Sequence, residues 1–263
     1  MNDWLHNLPV IWMAVLIFGL TYLIAAAIYV VVMILAVGER GRSFKVVSPG
    51  ILPPLGIIFG LFVAFVAAQV WTDNERANAA VEREAGALRS IVILASIFPG
   101  EAETHLRALI RDFIEEAAAQ EWPMMANRTA TLRLIPNPLA EALQLTLALA
   151  PNSEGQKTAQ REITTALENA LEARRQRILI SRSEVNLVKW SALFLQAACA
   201  LIAIAMVHSD NRLAAAVTMG LFATGVAASV FLIFAHDRPF TGAISVGPAP
   251  LLQVMPEAEA SQQ

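Results

Sequence analysis

The sequence predicts an all-α membrane protein with four transmembrane helices and a helical extramembrane domain between the second and third of them. Three observations lead to this fold class. Hydrophobic residues make up 56% of the 263 residues and charged residues only 16%, whereas soluble domains carry about 25% charged residues. Of the 41 Asp, Glu, Lys and Arg residues, 29 lie between Trp71 and Leu187. Four uncharged stretches in the flanks approach or exceed the roughly 20 residues that cross a bilayer core.

These stretches define the predicted domains of the chain. Transmembrane helices are predicted at 10–37, 49–71, 187–207 and 213–235, the polar helical domain at 72–186 and a C-terminal tail at 236–263. Four such stretches in 263 residues leave too little polar surface to cover them as core helices of a soluble protein. The first stretch is too long for a signal-peptide core and follows no basic segment. Four tryptophans near span ends are predicted to be interfacial anchors, namely Trp4, Trp12, Trp71 and Trp190.

Composition and motifs exclude several functional classes. A net charge of −3 gives no support for nucleic-acid binding. The single Cys199 excludes a disulfide framework and a cysteine-based zinc site. The four histidines lie far apart in sequence, and we find no phosphate-binding loop, dinucleotide fingerprint or nucleophile elbow. We therefore predict no enzyme activity, no cofactor and no metal site.

The polar domain is predicted to be helical throughout. Residues 73–97 are predicted to continue the second span as one helix, because no Pro or Gly lies between the end of the span and Gly86. Further helices are predicted at 101–121, ended by Trp122-Pro123, and at 139–150. No Pro or Gly lies between Gln156 and Gly220, which predicts one long helix from about 156 through the third span to 207. The tail after Pro250 is predicted to be disordered.

The second span carries two patterns of interest. Small residues repeat every four positions and predict a ridge on which another helix can pack closely; they are Gly56, Gly60, Ala64 and Ala68. Bulky apolar residues near one face suggest a constriction that could close a pore by dewetting, although contact with lipid or another helix is the commoner role. The candidates for lining a pore are Phe59, Phe62, Val63 and Val66, with the polar Gln69 at the pore mouth.

Basic residues predict which side of the membrane each loop faces. The first loop carries Arg40, Arg42 and Lys45, which places it in the cytoplasm and the polar domain outside the cell. Four arginines close to the third span point the other way: Arg174, Arg175, Arg177 and Arg182. We predict a bacterial inner-membrane protein whose polar domain faces outward.

Four short motifs follow one another along the chain. The second span and its exit read Gly56-Ile-Ile-Phe-Gly-Leu-Phe-Val-Ala-Phe, Val70-Trp71 and Arg76-Ala77, and Val81-Glu-Arg-Glu-Ala follows. Glu121-Trp122 comes after the next predicted helix. Asp237-Arg-Pro-Phe-Thr-Gly lies just past the fourth span, where a structural clasp is a more natural role than an ion site. In order and spacing, these motifs resemble the bestrophin-like domain family of bacterial membrane proteins.

The resemblance implies a four-span, helix-rich membrane protein that forms a homo-oligomer. Through distant kinship with the bestrophins, it also implies an ion channel. The residues that carry the resemblance are Glu84, Glu121, Trp122, Asp237, Arg238, Pro239 and Phe240. The acidic calcium-binding pattern of the bestrophins is not found, so calcium gating is not implied.

Two hypotheses for function follow. In the first, a closed ring of subunits in the lipid bilayer conducts inorganic ions passively, with a preference for anions that the arginine-rich ends of the polar helices attract. In the second, the protein is a non-conducting scaffold or sensor whose polar helices bind a partner. No acidic residue lies within a span, which argues against an ion-coupled transporter.

Overall fold

The computed structural model describes residues 8–37, 44, 47–133 and 135–257. The predicted anchor Trp4, the basic residues Arg40, Arg42 and Lys45 of the first loop and the last six residues of the tail lie outside this part of the chain. The described residues form helices and no strands, which confirms the all-α fold class. The chain divides into two compact units, a spanning unit of Met1–Thr72 and Glu184–Arg238 and a polar unit of Asp73–Ser183 and Pro239–Gln263.

Among the described residues, four helices are long and apolar enough to cross a membrane, and their apolar segments belong to the spanning unit. They are α1 (Val10–Leu35), the first part of α2 (Leu52–Ala95), α7 (Leu187–Val207) and α8 (Arg212–His236). Two asparagines start the last two helices, since the side chain of Asn186 accepts a hydrogen bond from the N–H of Lys189 and that of Asn211 from Ala214. The helix α8 packs against both α1 and α7.

Most of the buried surface of this unit belongs to α7 and α8. In their most apolar windows 44% and 39% of residues are buried, against 11% in α1 and 11% in α2. Trp190 is stacked on Phe194 and also contacts Phe234. It is therefore a core residue of the unit and not the interfacial anchor that its position suggested. Trp12 and Trp71 are exposed.

The polar unit is built around a core of apolar side chains from the remaining helices. They are the second part of α2, α3 (Glu101–Glu116), α4 (Trp122–Ala126), α5 (Asn137–Ala148), α6 (Glu154–Ile180) and α9 (Ala249–Gln253). Gly100 precedes α3 with a φ of 100°, a conformation that favours glycine. The core residues of α3 lie on one apolar face and include Leu106, Ile110 and Phe113.

One predicted helix is confirmed and another is wrong. Residues 52–95 do form one continuous helix. The long helix predicted from 156 to 207, in contrast, ends at Ile180 and a new one begins at Leu187. The N–H groups of Arg182 and Ser183 turn back to the carbonyls of Leu179 and Ile180, so the chain leaves the helix without any Pro or Gly.

Two smaller predictions also need correction. Trp122-Pro123 does not stop the helical path, because α3 continues through a π-helical turn, Ala117–Glu121, directly into α4. Pro123 is tolerated there since it lies in the first turn of α4. The chain after Pro250 is not disordered up to Glu257, because α9 forms there and Leu251 is fully buried in the core of the polar unit.

Candidate functional sites: the second span and a buried ion-pair cluster

Two of the predicted pore-lining residues lie inside the spanning unit. Phe59 and Val66 are buried, and the Phe59 ring lies 5.5 Å from that of Phe222 on α8. Phe62 and Val63 are partly buried against the same apolar cluster. Phe59 and Val66 therefore pack within their own subunit, whereas Phe62 and Val63 keep part of their surface exposed.

A different apolar stripe of α2 is exposed. Ile57, Leu61 and Phe65 follow one another at four-residue spacing, and their exposed fractions are 62%, 67% and 65%. Residues four apart on a helix lie on one face. The next position at this spacing, Gln69, is partly buried and accepts a hydrogen bond from the ammonium group of Lys189.

The predicted ridge of small residues lies beside this stripe and is exposed as well. Gly56, Gly60, Ala64 and Ala68 are all on the surface of the unit. A Cβ added to Gly56 or Gly60 would meet no atom within 4 Å. No helix in the described part of the chain packs on the ridge, which leaves it open to contact with another molecule.

The polar unit contains a buried cluster of ion pairs. The guanidinium of Arg177 donates from Nε and Nη2 to the two carboxylate oxygens of Glu84, at 2.7 and 2.9 Å, and both side chains are fully buried. Nη2 also donates to Glu121 Oε2 at 2.8 Å. Arg174 pairs with the other oxygen of Glu121, at 2.7 Å from Nε. Two carboxylates and two guanidiniums thus compensate one another, which buried charges require.

Aromatic residues enclose this cluster. The guanidinium carbon of Arg177 lies 4.3 Å from the centre of the Trp122 ring, a cation–π contact. The indole N–H of Trp122 donates to the carbonyl of Val246 at 3.0 Å, and Phe240 meets the indole edge-on. The structure thereby brings together four of the residues that carry the family resemblance, namely Glu84, Glu121, Trp122 and Phe240.

Burial and the neighbouring charges have opposing effects on the pKa values of Glu84 and Arg177. Burial raises the pKa of the Glu84 carboxyl, and the positive charge of Arg177 opposes that rise. Burial lowers the pKa of Arg177, but Glu84 and Glu121 more than offset the burial, so the pKa of Arg177 is raised overall. The arginine therefore stays charged, and its charge is what makes a carboxylate at position 84 tolerable in the core.

Sequence reasoning missed the structural role of Arg174 and Arg177. It treated both as part of a charged surface near the third span. A signal was present, because both arginines continue the spacing of the buried apolar residues of α6, which include Ile163, Leu167 and Ala170. A charge that falls on the buried stripe of an amphipathic helix needs a partner of opposite charge.

The Asp237-Arg238 pair lies at the end of α8 in the spanning unit. Asp237 Oδ1 accepts a hydrogen bond of 2.6 Å from the backbone N–H of Val185. Arg238 approaches Glu184, with 3.4 Å between Nη2 and Oε2. These contacts tie the end of α8 to the segment before α7, as a structural clasp does. Within the residues described, no three His, Cys, Asp or Glu side chains are grouped as metal ligands.

The fold and these sites define a helical membrane protein with four candidate spans. The sequence profile of the Bestrophin-like domain matches residues 19–251. The chain belongs to this family, as its motifs predicted. No curated protein matches the chain.

Solved structures of low sequence identity share the fold. A crystal structure of a bacterial bestrophin homolog from Klebsiella pneumoniae, phased with zinc, matches with a TM-score of 0.67 and 12% identity, over 92% of this chain and 95% of that one. Two structures of mutated forms match with TM-scores of 0.70 and 0.71, at 13% and 12% identity. They cover 92% and 90% of this chain and 97% and 95% of theirs.

Proposed function

We propose that the protein is a passive ion channel formed by a closed ring of identical subunits in the bacterial inner membrane. Family membership and the shared fold support a channel over an enzyme. The observation that carries the proposal is the exposure of α2. This span leaves uncovered both a ridge of small residues and a stripe of bulky apolar residues, which supports a place for it between subunits and beside the pore.

The two surfaces have different roles in this proposal. The ridge from Gly56 to Ala68 allows the α2 helices of neighbouring subunits to approach closely. The stripe of Ile57, Leu61 and Phe65 then faces the central axis and forms an apolar constriction that gates by dewetting. This stripe takes the place of the constriction that was predicted from the sequence, because Phe59 and Val66 of that constriction pack within the subunit.

We propose a preference for anions, but not for the reason that the sequence suggested. Two of the arginines at the end of α6, Arg174 and Arg177, are buried in ion pairs and are not free to attract ions. Arg175 is paired with Glu172 at 3.4 Å. The basic side chain beside the exposed stripe is Lys189.

A flux assay tests conduction and the place of the constriction together. We expect liposomes that contain the purified protein and are loaded with potassium chloride to release chloride once valinomycin gives potassium a parallel path, because net chloride efflux needs a balancing cation flux. Leu61→Ala widens the proposed constriction and should raise the flux. The matched control is Leu195→Ala, since Leu195 is 65% exposed on α7; it should leave the flux unchanged. Folded protein that shows no flux, either as wild type or as Leu61→Ala, would contradict conduction.

The alternative is a scaffold or sensor that binds a partner without conducting. A groove of about 760 Å³ in the polar unit, between the second part of α2 and α6, favours this second function. Gly86, Ala87 and Ser90 form one wall, and Asn169 and Gln176 lie on the other. A monomer, or a dimer with no axial cavity, in detergent would support the scaffold over the channel.

The orientation stays a prediction, with the polar unit outside the cell. Four arginines near the third span argued against this orientation. Two of them, Arg174 and Arg177, are buried in ion pairs, which explains their position without reference to the membrane. In a Cys199→Ala background, the exposed Glu168→Cys should react with a membrane-impermeant maleimide in intact cells. Asp210→Cys, in the short loop between α7 and α8, should be protected. The reverse pattern of labelling would place the polar unit in the cytoplasm.

A further inference from the structure

Lys189 lies in the first turn of α7 and its charged group is held against α2. The ammonium group donates a hydrogen bond to the side-chain oxygen of Gln69 and lies 5.9 Å from the centre of the Phe65 ring. Phe65 is itself 65% exposed. The side chain is thus fixed by two residues of the second span.

The positions of Phe65 and Gln69 on α2 show where along the exposed apolar stripe the charge of Lys189 lies. Phe65 is the last of the three exposed apolar side chains that begin with Ile57 and Leu61, and Gln69 follows one turn later. The ammonium group therefore lies at the end of the apolar stripe, where the stripe gives way to polar residues. A lysine that served only to anchor the helix in the headgroup region would extend toward the lipid phosphates.

The charge of Lys189 is not cancelled by a nearby acid. Within the part of the chain that the structure describes, no carboxylate forms an ion pair with it. The segments from Val46 to Thr72 and from Trp190 to Val207 contain no charged residue. In the described part of the chain, Lys189 thus places a positive charge beside this stripe that no ion pair compensates.

We propose that Lys189 determines the ion preference of the channel by attracting small inorganic anions, of which chloride is an example, to the end of the apolar constriction. This inference rests on the proposed channel function. In a closed ring, one such ammonium per subunit surrounds the axis and raises the local concentration of anions. Gln69 and Phe65 hold the charge there, so it acts on the permeation path and not on the lipid.

The test is the reversal potential of single reconstituted channels between unequal concentrations of potassium chloride. Two unit charges about 7 Å apart in water interact by about RT, which corresponds to a factor of about three in an equilibrium. Lys189→Gln, which removes the charge and can still bond to Gln69, should lower the chloride-to-potassium permeability ratio at least about threefold. Lys189→Glu should lower it further, and Lys189→Arg should preserve it.

The control is Lys157→Gln, which removes an exposed lysine of the polar unit that pairs with Glu154 at 2.7 Å. The ratio should not change in this variant. A conducting Lys189→Gln channel with the wild-type ratio would overturn the role of Lys189 and leave the channel proposal standing. Silence of the wild type and of Leu61→Ala, in folded protein, would overturn the channel proposal and the role of Lys189 with it.

Discussion

At the scale of single residues, Arg177 has the largest structural consequence in the polar unit. It neutralises the fully buried Glu84, shares Glu121 with Arg174 and stacks on Trp122. Removing one member of a buried ion pair costs much more than the pair contributes, because the other charge is left without a partner. Loss of any one of these charged side chains is therefore expected to destabilise the folded protein.

Replacing Arg177 by Met should strongly destabilise the protein. The substitution keeps an unbranched side chain but leaves Glu84 buried without its cation. We expect a loss of about 3–5 kcal/mol in the free energy of unfolding, measured by circular dichroism of the purified protein in detergent during thermal or urea unfolding.

Two further variants distinguish the cost of leaving Glu84 without a cation from a nonspecific loss of stability. Arg175→Gln breaks only an exposed pair and should cost no more than about 1 kcal/mol. The double variant Glu84→Leu with Arg177→Met removes both charges, while Glu121 keeps Arg174, and should regain most of the stability. Equal stabilities of Arg177→Met and Arg175→Gln would show that the buried cluster does not stabilise the fold.

The sequence could identify only half of this cluster. Glu84, Glu121 and Trp122 were found through family motifs, which carry information about residues but not about their contacts. Their partners lie in α6, far along the chain, and their pairing depends on how α2, α3 and α6 pack. Arg174 and Arg177 continue the apolar spacing of α6, but the sequence does not show which carboxylates they contact.

At the scale of helices, the segment between α6 and α7 shows how a helix can end without a breaker residue. The hydroxyl of Ser181 donates to the carbonyl of Ile178, and Asn186 caps the next helix. The N–H of Val185 between them is bonded to Asp237. The absence of Pro and Gly predicted continuity, but tertiary contacts of Val185 and Asp237 favour the extended segment over the helix.

Asp237→Ala should loosen this segment. The backbone N–H of Val185 is buried, and an unsatisfied buried donor costs about 1–3 kcal/mol. We expect faster amide hydrogen exchange in a peptide that contains Val185, measured by mass spectrometry, and a lower unfolding temperature.

Asp237→Asn is the matched control, since it keeps an oxygen that can accept the same hydrogen bond. Its exchange at Val185 should stay close to that of the wild type. If Asp237→Ala also exchanged at the wild-type rate, the bond from Val185 to Asp237 would not be what holds the segment.

At the scale of the whole molecule, the sequence predicted the four spans and their order but not which face of α2 is covered. Phe59 and Phe65 are the same residue type in one uncharged segment. Phe59 is buried in an apolar cluster and contacts Phe222 on α8, while Phe65 stays exposed. Local patterns cannot distinguish the two phenylalanines, because the difference arises from the packing of α2 on distant helices.

The exposed ridge of α2 gives the sharpest test of assembly. Leucine at position 60 should be accommodated within the protomer, because a Cβ at Gly60 meets no atom within 4 Å. It would, however, hold apart any helix backbone that packs on the ridge from a neighbouring subunit. We therefore expect Gly60→Leu to fold normally and to lose the oligomer, as measured by size-exclusion chromatography with light scattering and by native mass spectrometry.

Gly19→Leu is the matched control, since Gly19 lies on α1 and is equally open within the protomer. It adds the same bulk to a different span and should leave the oligomer intact. Lipid would accommodate a leucine on either helix, so loss of assembly in Gly60→Leu alone would mean that protein, not lipid, covers the ridge. Normal assembly of Gly60→Leu would instead place the subunit contacts elsewhere, and the pore could not then be built on close contacts between neighbouring α2 helices.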